Sequence, residues 1–424
     1  MHLFDHLIEH NRYLNIVGIV AVLLIAALFS HKRRFINLRL VVTGLALQML
    51  IAFMVLGTSG GTAGLQLVAS GVSKLYSCAD EGISFIFGNL ANPAMPWGFI
   101  FAVKVLPVII FFGAFMALLF HMGIIQRVVA GINFLIRPLL GTSGAETLCA
   151  IANSFLGQTE APLLVRNYLS GMTKSELLVV MVSGMATISG SILVVFAAMG
   201  VPAPHLLAAS VMAIPGSLII SKILYPETET SLTARGNAVV HGAVETKNSV
   251  DAIARGTTDG LNLALNVGAM LISFLALLAL LNSLLGFASV EVNKLILNAG
   301  FSYQLPVLSV AVIFGYIFYP FAFLMGFTGQ EAIQAAQLLG TKVSVNELIA
   351  YSQMVTMNLS ERTLGILTYA LCGFSNFSCI GIQIGGIGAL APEKREWLTQ
   401  LGLYAVLGGA LSNILSAMIA GLIL

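Results

Sequence analysis

Charged residues are too scarce in this 424-residue chain for a protein that folds in water. Lys and Arg number 20 and Asp and Glu 18, so that 9% of the chain is charged, whereas a soluble globular protein carries about 25%. Hydrophobic residues make up 58%, which is more apolar surface than a folded sphere can hide from water. Much of the chain must therefore fold in lipid, and a water-soluble enzyme, a disordered chain, a collagen and a coiled coil are excluded.

Net charge and cysteine spacing limit which binding partners and cofactors the chain can have. The net charge is +2 and the charges cluster between apolar runs, so no basic face is available for nucleic acid. One helical bundle can use the whole chain, and we expect a single membrane domain over residues 1–424. The cysteines lack CxxC spacing, which argues against a zinc site or a disulfide framework; they are Cys78, Cys149, Cys372 and Cys379.

Apolar stretches of membrane-spanning length recur along the chain. Most reach the roughly 20 residues that a transmembrane helix needs, which predicts an all-α polytopic membrane protein. The basic cluster at residues 31–34 belongs in the cytoplasm by the positive-inside rule, so the N-terminus is expected outside. The predicted spans are residues 14–30, 39–56, 98–121, 177–199, 205–224, 261–285, 306–325, 363–391 and 401–424.

Other segments do not fit this pattern. Residues 61–95 mix acidic and basic residues with apolar ones, which is typical of a helix lying in the membrane interface. Residues 124–170 and 327–360 are too polar to face lipid and too apolar to be loops, so we expect re-entrant hairpins buried in protein. Residues 225–260 form the longest hydrophilic segment and predict a polar loop.

An internal repeat supports the two hairpins. GTSGAE at residues 141–146 recurs as GFTGQE at 326–331, 185 residues later, and a long apolar span interrupted by small polar residues follows each hairpin. Such repeats with interrupted spans indicate an inverted-repeat secondary transporter with two broken transmembrane helices. The predicted division is scaffold helices with an interfacial helix (1–122), the first repeat (123–224), a polar loop with scaffold helices (225–325), and the second repeat (326–424).

The tip of the first hairpin carries polar chemistry. Gly157 can end one half-helix, Thr159 can cap the next, and Pro162 fits the first turn of that second helix. Backbone N–H groups at the half-helix start, with the side chains of Gln158 and Glu160, make a candidate polar-ligand site. Glu160 could instead only cap its helix, although a carboxylate in an apolar hairpin is costly unless function retains it.

The second hairpin offers a matching acid, Glu347, so that an acid from each repeat can face one cavity. Two acids without a nearby arginine suit a neutral, hydroxyl-rich or cationic ligand better than an anion. Glu146 and Glu331 each follow a Gly-x-Gly-like turn, and we interpret them as helix-capping acids.

The first interrupted span, residues 184–192, contains five Gly, Ser or Thr residues at mid-membrane depth. Unwinding there would free backbone carbonyls, which together with Thr187 and with Asn153 of the facing hairpin could hold a dehydrated monovalent cation. It is equally open that Ser and Gly only allow close helix packing.

The second interrupted span must also break. An unbroken helix over residues 363–391 would be about 44 Å long, against a hydrocarbon core of about 30 Å. A break near Gly373 exposes Asn376, which can hydrogen-bond a polar rim, while Phe374 and Phe377 can pack against a ring or serve only as core.

Three motifs resemble the signatures of concentrative nucleoside transporters. They are GQTEAPLL at residues 157–164, the stretch from GTK to NEL at 340–348, and CGFSNFS at 372–378. The resemblance covers roughly residues 95–424 in order. It implies a homotrimer whose protomers each have a scaffold and a moving transport part that holds both hairpins, in an elevator-like mechanism.

The resemblance also implies the roles of individual residues. It assigns the nucleobase to Gly157, Gln158, Thr159, Glu160 and Ile192. It assigns the ribose to Glu347 and Asn376, with Phe374 nearby, and places Cys379 where many members have a ribose-binding serine. It assigns Na⁺ to Asn153, the Leu156 carbonyl, Thr187 and the Ile188 carbonyl. A thiol is a weak donor, so a contact of Cys379 with ribose is open.

The predicted function is a cation-coupled nucleoside importer of a bacterial inner membrane, with a nucleoside substrate, Na⁺ as the coupling ion and no organic cofactor. Na⁺ is favoured over H⁺ because Asn153 and Thr187 offer oxygens that do not titrate, although Glu160 or Glu347 could carry a proton. A channel, or a carrier for another small polar solute, would use the same polar groups and competes with this interpretation.

An enzyme is not expected, since neither GxxxxGK[ST] nor HExxH occurs. Lys104 is interpreted as snorkelling or as a subunit contact.

Overall fold

The computed structural model describes residues 8–92, 94–98, 100–233, 246–300 and 306–424, and every regular element within these ranges is a helix. The longer helices are α1 (Arg12–Leu28), α2 (Leu38–Leu56), α3 (Ser59–Phe87), α4 (Leu106–His121), α5 (Ile124–Leu140), α6 (Gly144–Ala152), α7 (Lys174–Ala186), α8 (Gly190–Ala198), α9 (Ala203–Leu224), α10 (Ser249–Asn298), α11 (Val310–Leu324), α12 (Gly329–Ser344), α13 (Glu347–Met354), α14 (Glu361–Leu371), α15 (Phe377–Leu390) and α16 (Arg395–Ile423).

Seven helical segments in the described ranges are long and apolar enough to cross a membrane, with α7 and α8 counted as one. They include α1, α2, α9 and α16 at places where the hydropathy predicts spans. The chain is therefore an all-α polytopic membrane protein, as predicted. The helix expected over residues 61–95 is present as α3, while its place at the membrane interface stays a prediction.

Both interrupted spans break where small polar residues predict it. α7 ends at Ala186, and Thr187 adopts an extended backbone (φ −120°, ψ 166°) before Ser189 caps α8 by accepting a hydrogen bond from the Ile192 N–H. α14 ends at Leu371, and Asn376 caps α15 in the same way. A side-chain cap can restart a helix because it satisfies a backbone donor that the helix itself leaves unpaired.

The first hairpin is shorter than the sequence suggests. Residues 124–140 form the separate helix α5, bounded by Gly123 (φ +71°) and Gly141 (φ +66°), and the hairpin itself comprises α6, a 3-10 turn and one helical turn, Arg166–Leu169. The two glycines stop the chain from continuing as one helix because both adopt left-handed backbone. The second hairpin, α12 and α13, lies within its predicted bounds.

The segment after α9 also differs from its prediction. The polar loop expected to reach residue 260 ends earlier, because α10 begins at Ser249 and continues for 50 residues, about 75 Å. Asn248 caps it, accepting from the Asp251 N–H at 2.9 Å, and Arg255 pairs with Asp251 one turn on. The span expected at 261–285 is thus the middle of this helix, whose apolar part is Leu275–Asn298.

The helices form an interior and an outer layer. α16 packs against α1, α7, α9 and α14, and its apolar window is 78% buried. α10 packs along α4, where a Cβ at Gly113 would lie 2.6 Å from the Gly256 carbonyl oxygen, so the two backbones touch. The apolar part of α10 is only 6% buried, so this pair forms an outer layer.

Lys104, at the entry to α4, has a partner within the chain. Its Nζ lies 2.5 Å from Asp80 Oδ1 of α3. A carboxylate on the neighbouring helix therefore neutralises the ammonium group within the chain, and the expectation of snorkelling or a subunit contact stays a prediction.

Candidate functional site

The carboxylate of Glu160 hydrogen-bonds the backbone at the tip of the first hairpin. Glu160 directly precedes the 3-10 turn Ala161–Val165, and its Oε2 accepts a hydrogen bond from the Gly157 N–H at 3.1 Å. The prediction that Thr159 caps the return limb is wrong, since Glu160 occupies the cap position and its carboxylate satisfies the tip instead. The side chain of Glu160 is exposed at the tip.

Side chains of both repeats meet in one hydrogen-bonded network. Asn376 Nδ2 donates to Glu347 Oε2 at 3.2 Å, and Asn376 Oδ1 accepts from the Cys379 N–H at 3.1 Å. Gln158 Nε2 of the first hairpin donates to Cys379 Sγ at 3.3 Å. The four residues, all less than 10% exposed, therefore join the first hairpin tip to the second break and the second hairpin.

Two acceptors near this network lack partners. Gln158 Oε1 and Ser375 Oγ are buried and make no hydrogen bond within the described part of the chain. Buried polar atoms in native proteins are usually paired, so these two atoms can pair with a polar ligand.

A cavity of about 710 Å³ adjoins the first hairpin on the side of α4 and α10. Thr159 and Glu160 line it together with Ser191 at the start of α8, and Asp259 of α10 lies on the facing wall. The volume is in the range of small-molecule sites. Glu347 is not among the residues that line this cavity.

Neutral oxygens converge between the first hairpin and the first break. Asn153 is fully buried, its Nδ2 donates to Ser183 Oγ at 2.9 Å, and its Oδ1 has no partner among the residues described. Thr187 Oγ1 donates to the Ser183 carbonyl at 2.8 Å, which leaves the hydroxyl lone pairs free. An uncharged oxygen set with an unpaired acceptor fits a hard monovalent cation such as Na⁺.

The remaining predicted site residues lie beside these groups. Leu156 is buried in the hairpin turn and Ile188 is buried inside the first break. Ile192 is 8% exposed in the first turn of α8, next to the cavity residue Ser191, and Phe374 is half-buried inside the second break.

The two breaks touch each other. A Cβ at Gly373 would lie 2.6 Å from the Met185 carbonyl oxygen, so only glycine allows this approach. Asn413 of α16 bridges the breaks, because its Nδ2 donates to the carbonyls of Ala186 (2.7 Å) and Cys372 (2.6 Å). Lys342 of α12 donates to Asn413 Oδ1 at 2.6 Å.

Asn413 and Lys342 were not predicted to have roles. A lysine within an apolar hairpin and an asparagine within the last apolar span were the available signals, since polar groups at membrane depth are rare unless they have a function.

Comparison with known proteins gives a consistent result. Three family models match along the chain: "Na+ dependent nucleoside transporter N-terminus" at residues 17–90, "Nucleoside recognition" at 102–203 and "Na+ dependent nucleoside transporter C-terminus" at 205–421. The nucleoside permease NupC of Helicobacter pylori is 40% identical over 419 residues, covering 96% of this chain and 97% of the relative. Sodium/nucleoside cotransporter 1 of Rattus norvegicus is 36% identical, covering 97% of this chain and 64% of the relative.

Solved structures match over nearly the whole chain. An inward-facing, substrate-bound state of CNTnw is 37% identical with a TM-score of 0.89, covering 98% of this chain and 99% of that one. An outward-facing state of a CNTnw variant is 36% identical with a TM-score of 0.89, covering 97% of each chain.

Proposed function

The chain belongs to the Na⁺-dependent nucleoside transporter family, and from this membership we propose that it imports nucleosides across a bacterial inner membrane, driven by a Na⁺ gradient. Bacterial relatives of nearly equal length support a location in a bacterial inner membrane. Matches to inward-facing and outward-facing structures support an alternating-access mechanism.

The network from Gln158 to Glu347 is the observation that carries this proposal. Glu347 and Asn376 bind the ribose hydroxyls, since a carboxylate accepts and an amide donates, and Phe374 packs nearby. Gln158 pairs its unsatisfied Oε1 with the nucleobase, alongside Gly157, Thr159, Glu160 and Ile192. Nucleoside then replaces the Gln158–Cys379 contact as the link between the two repeats.

Na⁺ binds between Asn153, Thr187 and the carbonyls of Leu156 and Ile188. The ion would pair the free Asn153 Oδ1 and neutralise the carbonyl end of α7. The Gly190 N–H donates to the Phe155 carbonyl at 3.0 Å, so the break is already tied to the hairpin tip that holds the base. Ordering this tip by Na⁺ lowers the cost of binding nucleoside, and by linkage each ligand strengthens the other.

Movement follows from the division into layers. The hairpins and broken helices form a transport part that slides as a unit against α4 and α10, which serve as the scaffold and as the contact surface of a homotrimer. The weak burial of α10 within one chain supports this arrangement.

The test is uptake of labelled uridine and adenosine into proteoliposomes with an imposed Na⁺ or pH gradient. We expect concentrative uptake that requires an inward Na⁺ gradient and persists with a protonophore. Uptake that ignores Na⁺ but collapses with a protonophore would instead support H⁺ coupling through Glu160, whose exposure on the cavity makes it the available proton carrier. Equilibration without accumulation would indicate a channel.

A further inference from the structure

In each repeat, the end of the hairpin's first helix faces the end of a broken helix. In the first repeat Asn153 directly follows α6 and hydrogen-bonds Ser183 in the last turn of α7. In the second repeat Lys342 lies in the last turn of α12 and its Nζ donates to the Ala370 carbonyl in the last turn of α14 at 2.9 Å. Both places join the end of a hairpin's first helix to the end of a broken helix, although Lys342 lies four residues further along the repeat than Asn153. One place holds an amide and the other an ammonium group.

The environment of Lys342 is built for a cation. The residue is 1% exposed, and its Nζ lies between the Ala370 carbonyl and Asn413 Oδ1. Asn413 in turn donates to the carbonyls of Ala186 and Cys372. Helix C-termini carry partial negative charge, so an ammonium group here offsets the carbonyl ends that the break leaves unpaired.

We propose that Lys342 is a permanent, covalently attached counterpart of the coupling ion. It does in the second repeat what Na⁺ does in the first: it fixes a broken-helix end and thereby positions Glu347 and Asn376 for the ribose. The inference rests on the proposed Na⁺ site at Asn153. Lys342 is a positioning residue, since its hydrogen bonds go to Ala370 and Asn413 and not to Glu347 or Asn376.

The consequence concerns ion coupling. An exchangeable ion binds and leaves in each transport cycle, so its gradient supplies free energy for transport. A lysine side chain stays in place throughout the cycle and supplies none. The sugar site of the second repeat is therefore preformed in every state of the cycle, whereas the nucleobase site of the first repeat is ordered only when an ion is bound.

The experiment compares Lys342→Met with Lys342→Arg in purified full-length protein. Uridine KM is measured in proteoliposomes, and Na⁺ binding is measured separately by Na⁺-dependent thermal stabilisation without nucleoside. We expect Lys342→Met to raise the uridine KM at least about tenfold, the scale of a lost charge-assisted hydrogen bond, with unchanged half-saturation by Na⁺. Lys342→Arg keeps the charge and recovers most of the affinity.

Lys394→Met is the matched control. Lys394 is also buried and its Nζ also donates to a backbone carbonyl, Met172 at 2.9 Å, but it lies outside both breaks. We expect it to leave the uridine KM unchanged.

Two results would overturn the proposal: a Lys342→Met protein with wild-type uridine KM, or one that loses Na⁺ and uridine binding in equal measure. If Lys342→Met does not fold, the exchange Lys342→Asn with Asn413→Lys returns an ammonium group to the same carbonyls from α16. Uridine binding by this double variant supports the proposal, whereas failure to fold or to bind contradicts it. A wild-type protein that binds no nucleoside with or without Na⁺ would contradict the proposed function instead, before any variant is compared.

Discussion

The two repeats have the same arrangement of helices but differ in the charged and polar side chains at their helix ends. Each has a hairpin, a broken helix and a side-chain cap that restarts the second limb. The first repeat leaves Asn153 Oδ1 unpaired and carries its acid, Glu160, exposed on a cavity wall. The second repeat saturates its helix end with Lys342 and buries its acid, Glu347, against Asn376. The repeats share their geometry, and under the two proposals a few side chains make the first repeat the ion-responsive half and the second repeat the fixed half.

The bases of the hairpins differ as well. Glu146 and Ser143 form the predicted capping box of α6, and Glu146 also pairs with Lys222 at 2.7 Å. Glu331 does not cap its own helix as predicted. It reaches across to α14 and accepts hydrogen bonds from the Ser360 N–H (3.0 Å) and Thr363 Oγ1 (2.6 Å). The same motif therefore holds the helix of the first hairpin and the broken helix of the second repeat.

The largest expected effect distinguishes the two acids. Glu347→Gln keeps the shape of the side chain but removes the charge on which the proposed ribose site relies, so we expect the uridine KM to rise roughly 30-fold to 150-fold, corresponding to about 2–3 kcal/mol. Glu160→Gln should raise it less, by about tenfold, because this acid is exposed and water can replace part of its contact. The rate of uridine uptake into proteoliposomes as a function of uridine concentration measures both KM values.

The opposite order, with Glu160→Gln the more damaging, would place the dominant nucleoside contact in the first repeat. Wild-type affinity in both variants would remove the two acids from the site.

The sequence alone was sufficient for much of this arrangement. Both breaks and the second hairpin lie where motifs predict them, because caps, glycines and polar residues at membrane depth have local causes. The expectation that both acids face one cavity stays a prediction, because the residues that line a cavity depend on how helices distant along the chain pack against the hairpins.

What the sequence could not reveal depends on contacts distant along the chain. In the sequence Asn413 is a single amide within an apolar span. Only folding brings it to the carbonyl of Ala186, which is 227 residues away, and to that of Cys372, which is 41 residues away. The long helix α10 was missed for a different reason. Its polar first turns resemble a loop in a hydropathy profile, although Asn248 and Asp251 already carried a helix-start signal.

A medium effect tests the ion-responsive half. Thr187→Val preserves shape and removes the hydroxyl lone pairs offered to Na⁺, so the Na⁺ concentration for half-maximal uptake should rise about fivefold, the value of one neutral hydrogen bond. Thr368→Val is the matched control, because Thr368 is equally buried in α14 and its hydroxyl also donates to a carbonyl four residues earlier, at 2.7 Å. Equal shifts in both variants would mean that the repeats respond to Na⁺ alike.

The smallest effect concerns the contact between the repeats. The thiol of Cys379 is a weak hydrogen-bond partner for Gln158 and, in the proposed site, for a ribose hydroxyl. A serine hydroxyl is a stronger partner in nearly the same space. Cys379→Ser should therefore lower the uridine KM about twofold to threefold, since gains of this kind are near 0.5 kcal/mol. Cys78→Ser, which replaces an exposed thiol, should leave the KM unchanged. A Cys379→Ser protein with weaker binding would show that this position packs against the nucleoside and does not hydrogen-bond it, and the first hairpin would then be linked to the second repeat by shape alone.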